Sequence, residues 1–98
     1  MAKLEKKMAF AGKSANDCYQ AGLRIVEKAG YKILKRRDIA WLLVCEGNLN
    51  GNVTSLNYSV PLGGPSSVVL NFNSEQNDAA ALEAEAERLF GLVGAELK

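Results

Sequence analysis

The stretch Ile39-Ala40-Trp41-Leu42-Leu43-Val44-Cys45 decides the fold, because these seven consecutive residues carry neither a formal charge nor a strongly polar group. Charged and turn-forming residues close the run, with Arg37-Asp38 before it and Glu46-Gly47-Asn48 after it. A short apolar run bounded in this way predicts a strand whose two faces are both covered. We expect its odd-numbered residues to face the core and its even-numbered residues to lie on the outer side of a sheet.

Two later segments, 53–60 and 67–73, alternate between apolar and polar residues with the period of two that is typical of strands. The turn-forming residues 47–52 predict a hairpin loop before the first of them, and residues 61–65 predict a loop between them. Because these connections are short, the three strands should form an antiparallel meander.

The strand pairing follows from the same alternation. Across the loop 61–65, we expect residues to lie opposite each other when their numbers sum to 128, which pairs Leu56 with Phe72. Across the loop 47–52, we expect a sum of 99, which pairs Trp41 with Tyr58. Both choices place the large apolar residues of the meander on one face, together with the odd-numbered residues of 39–45.

Two amphipathic helices should cover that face. Ser14 is a good N-cap with Asp17 three residues on, the following residues keep one apolar face to about Ala29, and Gly30 suits the C′ position. A second helix should begin near Asn77-Asp78. Its apolar stripe consists of Ala79, Leu82, Ala86, Leu89, Phe90, Val93 and Leu97.

Two further strands complete the pattern, one over residues 3–10 with Met8 and Phe10 facing inward, and one over Tyr31–Arg36. Residues 1–98 therefore form a single α+β domain with the order β-α-β-β-β-β-α, an antiparallel sheet with two helices packed on one face. This element order resembles the fold of one half of the TATA-binding protein and, with elaborations, of the helix-grip proteins of the Bet v 1 and START kind. The resemblance covers most of the chain but rests on no residue motif, so it implies a fold and no site residue.

The composition argues against catalysis. The chain has no histidine, which removes the commonest general base and metal ligand, and its two cysteines lie too far apart in sequence for a Cys-type metal site. Cys18 and Cys45 are best read as small core residues. We therefore expect a protein that is not an enzyme and that has no metal and no cofactor.

The charges are distributed unevenly, although the net charge is only +1. Residues 1–37 contain ten Lys and Arg against three acids, whereas residues 38–98 contain two against eight. The lysines near the N-terminus are not followed by an apolar segment of the signal-peptide type, and no apolar run is long enough to span a membrane. We expect a cytoplasmic protein without a membrane partner.

The leading functional hypothesis concerns the outer side of the sheet. Its expected residues are uncharged and half apolar, and none of them is Lys or Arg, a pattern that favours an interface between two copies of the chain. The predicted interface residues are Leu42, Val44, Val69, Asn57 and Asn71. Tyr31 and Ile33 would join this face if Arg37-Asp38 formed a two-residue turn.

Two alternatives stay open. A small helix-grip carrier would hold an apolar ligand between sheet and helices. The aromatic residues expected to line its cavity are Tyr19, Trp41, Tyr58 and Phe72. A nucleic-acid-binding protein would use the basic segment instead, with Lys32, Lys35, Arg36 and Arg37 contacting phosphates.

Overall fold

The computed structural model describes residues 2–10, 12–61 and 66–97, and it confirms the predicted element order and the α+β class. The elements are β1 (Ala2–Ala9), α1 (Ala15–Lys28), β2 (Lys32–Arg37), β3 (Leu42–Leu49), β4 (Asn52–Ser59), β5 (Ser67–Ser74) and α2 (Ala79–Glu96). The five strands form one antiparallel sheet in the order β1-β5-β4-β3-β2. The first and last strands of the chain thus lie side by side, with β1 at the edge of the sheet and paired with β5.

Helix α1 begins and ends as its sequence predicts. The Ser14 side chain accepts a hydrogen bond from the Asp17 backbone N–H, and the Asp17 carboxylate accepts one from the Ser14 N–H, which completes a capping box. Gly30 follows the helix with a φ of 96°, a left-handed conformation that glycine adopts without steric cost.

Both helices pack against one face of the sheet and share a single core with it. The buried sheet residues are those that the alternation assigns to this face, among them Leu43, Leu56, Tyr58 and Phe72. Tyr58 reaches deepest, because its ring lies where Gly22 of α1 has no side chain and its hydroxyl donates to the Cys18 carbonyl at 2.7 Å.

The pairing of β4 with β5 follows the predicted register, with Leu56 opposite Phe72. The predicted pairing of β3 with β4 is wrong by two residues, because Leu43 rather than Trp41 lies opposite Tyr58. The cause is the turn: β3 continues to Leu49, and the connection is only Asn50-Gly51, whose φ values of 55° and 80° are those of a type I′ turn. A shift of two residues preserves which side chains face the core.

The predicted strand 39–45 is wrong at its beginning. Ile39 and Ala40 lie in a turn, Ile39 is 94% exposed, and Trp41 has a φ of 54° and is half-buried. A residue in this left-handed region cannot continue a strand, so β3 begins at Leu42.

Strand β1 lies at the edge of the sheet, and its position explains why Met8 is less buried than predicted. Met8 is on the core side, opposite Val68, but it is 46% exposed because no strand covers the far side of β1. The predicted loop 61–65 falls mostly outside the described residues.

The second helix begins after the N-cap Asp78, as predicted, but its apolar stripe contains a charge that the sequence pattern did not indicate. Glu85 is only 5% exposed. Its carboxylate accepts hydrogen bonds from the Tyr31 hydroxyl at 2.6 Å and from Arg88 at 2.6 and 2.8 Å. This group ties α2 to the junction between α1 and β2.

Candidate functional site on the outer sheet face

The outer face is the side of the sheet opposite the helices, and its side chains form three rows that run across all five strands. In the order β1 to β2, the rows are Lys7, Val69, Ser59, Leu42, Arg37; Glu5, Asn71, Asn57, Val44, Lys35; and Lys3, Asn73, Ser55, Glu46, Lys32. Each row begins and ends at an edge strand, so the edge residues of β1 and β2 form two opposite rims. The centre contains apolar residues, amides, hydroxyls and one acid, Glu46 of β3.

The five predicted interface residues lie together in the first two rows. Leu42 and Val44 are half-buried, and Val69 is only 9% exposed although no partner chain covers it. Asn57 and Asn71 are exposed and lie directly opposite each other on β4 and β5. The apolar part of the face is therefore smaller than the sequence suggested.

Strand β2 forms one basic rim because of a β-bulge. The pairing shifts between Ile33 and Lys35, which leaves Leu34 without a partner and 54% exposed. After the bulge, Lys35 and Arg37 lie on the outer face. Lys32, before the bulge, lies there as well, opposite Glu46.

Because of the bulge, Arg36 lies on the helix side of the sheet, opposite Leu43. It is the remaining one of the four basic residues predicted to contact phosphates. Its guanidinium donates to Asp38 at 2.7 Å, and Asp38 also accepts a hydrogen bond from the Tyr19 hydroxyl at 2.6 Å. These two hydrogen bonds hold the pKa of Asp38 below its ordinary value. Arg36 thus fixes the turn before β3 and does not share the outer face with Lys32, Lys35 and Arg37.

Strand β1 forms the opposite rim with Lys3 and Lys7, and Glu5 lies between them. Because the sequence pattern does not reveal which strand lies beside β1, these lysines were not expected on this face. The expectation that the outer face contains no Lys or Arg is wrong: five cations and two acids line it. None of the five is in an ion pair within the described part of the chain.

The centre of the face contains two adjoining open depressions. One has a volume of about 250 Å³ and is lined by Lys3, Ser55, Asn57, Asn71, Phe72 and Asn73. The other, of about 620 Å³, lies toward the β3–β4 turn and is also lined by Ser55 and Asn73, together with Asn52, Glu75 and Gln76. Amide, hydroxyl and carboxylate side chains thus share this shallow surface between the two rims with apolar groups, among them the exposed Val53.

The side chains of the four aromatic residues predicted to line a ligand cavity lie on the helix side of the sheet, although Phe72 also borders one of the depressions of the outer face. The Tyr58 and Phe72 side chains are buried in the core. Tyr19 is buried too, and its ring meets Trp41 edge to face with centroids 5.6 Å apart. The turn between β2 and β3 comprises residues 38–41 and not the two residues Arg37-Asp38, so the condition under which Tyr31 and Ile33 would join the outer face is not met. Tyr31 is buried and Ile33 packs against the core.

Both cysteines are buried, as core residues should be. Burial raises the pKa of Cys45 to about 11 and raises that of Cys18 as well, which keeps both thiols protonated at neutral pH. Within residues 2–10, 12–61 and 66–97, no three His, Cys, Asp or Glu side chains form a group that could hold a metal ion.

Neither helix of the described chain is both long and apolar enough to cross a bilayer. No protein-family model and no curated protein sequence matches the chain. The arrangement that remains as the candidate site is the outer face, with its two basic rims and its polar centre.

Proposed function

We propose that the protein binds nucleic acid through the outer face, with the cations of the two rims contacting phosphates. The single observation that carries this proposal is that five cations without ion-pair partners in the described chain lie on one face, on both edges of it, against two acids in the same rows and Glu75 beside the end of β5. Exposed Lys and Arg that meet phosphates release condensed counterions, which is the main source of affinity for nucleic acid.

The distribution of charge distinguishes this face from an ordinary solvated surface. Elsewhere, Lys6 pairs with Glu83, and Arg24 and Lys28 pair with Glu96. The cations on the helix side are thus partly neutralised by acids of α2, whereas those of the outer face are left for an external anion. Charge complementarity is what selects a polyanion as the partner.

Measurement of binding as a function of salt tests the proposal. Binding of a fluorescent oligonucleotide should weaken between 50 and 200 mM salt by roughly tenfold for two phosphate contacts and by about a hundredfold for five, because each contact adds roughly 0.7 to 0.9 to the slope of log K against log salt. Absence of binding at 50 mM salt would dismiss the proposal.

Two adjacent lysines of β1 supply a matched pair of variants. Lys7 lies on the outer face, and Lys6 lies on the helix side opposite Leu70. Lys7→Gln should weaken binding and lower the salt slope by about 0.7 to 0.9, whereas Lys6→Gln, with the same change of net charge, should do neither. Equal effects would show that only the net charge matters and would count against a site on this face.

Self-association through the same face is a second candidate, favoured by Leu42 and Val44, which lie two residues apart on β3, with Val69 across Ser59 from Leu42. Burying Leu42 and Val44 between two copies would contribute about 1 to 3 kcal/mol per residue to the free energy of association. The contribution can be no larger, because both side chains are already half-buried in the monomer. Sedimentation of the wild type and of Leu42→Asp at 500 mM salt tests it, and a monomer in both cases at high micromolar concentration would exclude it.

The remaining expectations stay predictions. They are the small carrier of an apolar ligand, the likeness to the TATA-binding-protein half and the helix-grip proteins, the cytoplasmic compartment, and the lack of catalysis and cofactors. A bound mass in native mass spectrometry of the purified protein would support the carrier.

A further inference from the structure

We infer that the nucleic acid bound by the outer face is single-stranded and that the amide side chains at the centre of the face read its bases. This inference rests on the proposed function and adds to it the form of the ligand and the residues that give specificity. It is carried by three observations: the width of the face, the chemistry of its centre and the position of its cations.

The width of the face argues against an unbent B-form duplex. Four strand spacings of about 4.8 Å separate β1 from β2, so the two rims lie about 19 Å apart. The major groove of B-DNA is about 12 Å wide and admits a helix or a two-stranded ribbon, but not a five-stranded sheet, so a duplex could meet this face only by bending to open its minor groove, at an energetic cost. A single strand needs no groove and can lie flat across the sheet.

The chemistry of the centre suits exposed base edges. Asn57 lies opposite Asn71, and Ser55 lies opposite Asn73, so three amides and a hydroxyl occupy adjacent positions on β4 and β5. None of these four side chains makes a hydrogen bond to another group of the described chain. An amide offers both a donor and an acceptor, and two such groups can pair with a base edge at once.

The cations complete the arrangement, because they lie at both ends of each row and not in the middle. A strand that crosses from the β1 rim to the β2 rim would place phosphates near Lys3 or Lys7 at one end and near Lys35 or Arg37 at the other. Its bases would then lie over the amides. At 3.4 Å per stacked nucleotide, the crossing takes up about six nucleotides.

The test compares labelled single strands of about 12 nucleotides (oligo-dA, oligo-dC, oligo-dT and the matching RNAs) with a duplex of the same length, at fixed salt. The wild type should bind at least one single strand about tenfold more tightly than the duplex. It should also distinguish the single strands from one another by about fivefold or more, the range of one good amide–base pair.

Two variants distinguish base recognition by the central amides from phosphate binding by the rim cations. Asn57→Ala combined with Asn71→Ala should reduce the discrimination between single strands to less than about twofold and leave the salt slope unchanged. Lys7→Gln should lower the slope by about 0.7 and leave the discrimination as it is.

The outcomes that overturn the inference differ from those that overturn the proposed function. Preference for the duplex, equal affinity for all single strands, or discrimination that survives in the Asn57→Ala/Asn71→Ala variant would refute base reading while nucleic-acid binding stands. Failure of every oligonucleotide to bind would refute both. Because Asn57 and Asn71 are exposed, the double variant should fold, and its unfolding midpoint should lie close to that of the wild type.

Discussion

Helix α1 can pack closely against the sheet because Gly22 has no side chain. A methyl group there would fall inside the ring of Tyr58, which is fully buried and held by its hydrogen bond to the Cys18 carbonyl. The sequence pattern placed Gly22 in the middle of the apolar helix face but could not identify the ring opposite it.

Gly22→Ala should therefore destabilise the protein by about 2 kcal/mol, because the clash with Tyr58 outweighs the gain in helix propensity. Gly91 of α2 is the matched control, since a methyl group there meets nothing within 4 Å. Gly91→Ala should stabilise the protein by roughly 0.5 to 1 kcal/mol. Chemical denaturation measures both changes, and a Gly22→Ala variant as stable as Gly91→Ala would refute the packing argument.

Glu85 gives the protein a titrating group inside the core. Burial disfavours its charged form, but the hydrogen bonds from Arg88 and Tyr31 outweigh burial and hold the pKa of Glu85 below its ordinary value of 4.5. A carboxylate whose pKa is lower in the folded state stabilises the fold above its unfolded pKa. That contribution is lost as pH falls from about 4.5 through the lowered folded pKa.

Glu85→Gln should cost about 1 to 3 kcal/mol of unfolding free energy at pH 7, because it leaves Arg88 and Tyr31 with a weaker acceptor. The difference from the wild type should shrink as pH falls through the folded pKa of Glu85, where the wild-type side chain is neutral too. Glu87→Gln, at an exposed position of the same helix, should change stability by less than about 0.5 kcal/mol. Thermal unfolding from pH 7 to pH 3 measures this, and a constant difference would contradict the assignment.

Elements whose signals are local were predictable from the sequence, and those that depend on distant partners were not. The capping box of α1, the alternation of β4 and the start of α2 at Asp78 each follow from a few neighbouring residues. The start of β3 does not, because the apolar residue Ile39 lies in a turn that Asp38 and Tyr19 fix from outside the strand. The Asn50-Gly51 dipeptide is a strong hairpin signal, but the turn formers on both sides of it made the loop look longer.

The β3–β4 hairpin is joined to the rest of the fold by Asn77, the residue before the N-cap of α2. Its amide nitrogen lies 3.1 Å from the Leu49 carbonyl oxygen, 3.2 Å from Thr54 Oγ1 and 3.0 Å from Ser74 Oγ. This one side chain connects the end of β3, the start of β4 and the end of β5.

Asn77→Ala should destabilise the protein by about 2 to 4 kcal/mol, because the Leu49 carbonyl and Thr54 Oγ1 lose their side-chain donor, whereas Ser74 Oγ keeps the hydrogen bond from the Asn77 backbone N–H. Exposed Asn73→Ala is the control and should be within about 0.5 kcal/mol of the wild type. Hydrogen exchange should also quicken in β3 and β4 of the Asn77→Ala variant more than in β1. Equal stability of the two variants would mean that the interactions of Asn77 contribute nothing net.

The complete candidate site can be recognised only in the folded molecule, because its two rims arise from long-range strand pairing and from the bulge in β2. The sequence supplied the central residues of the outer face through the alternation of β4 and β5. The rims could not be predicted in this way. The lysines of β1 lie on the face only because β1 pairs with β5, which is distant in sequence. Lys35 and Arg37 lie on it only because of the bulge at Leu34. Neither event leaves a periodic signal in the sequence, and together they place four of the five cations on a face that was expected to have none.

The same rims make salt the condition that separates the two candidate functions. Two copies stacked through their outer faces would bring basic rims together, whereas a polyanion would neutralise them. Salt screens both effects, with a Debye length of about 10 Å at 0.1 M and 3 Å at 1 M. Raising the salt concentration should therefore weaken nucleic-acid binding and strengthen any self-association through this face.

We accordingly expect the wild type to sediment as a monomer at 50 mM salt and, if the face self-associates, to dimerise about tenfold more tightly at 500 mM. Neutralising both rims in a Lys7→Gln/Lys35→Gln/Arg37→Gln variant should produce the same shift at low salt, because it removes the repulsion directly. A Lys6→Gln/Lys13→Gln/Lys28→Gln variant matches it in net charge but changes residues on the helix side, so it should behave like the wild type. Dimerisation that weakens with salt, or that responds equally to the two variants, would show that the outer face is not where the copies meet.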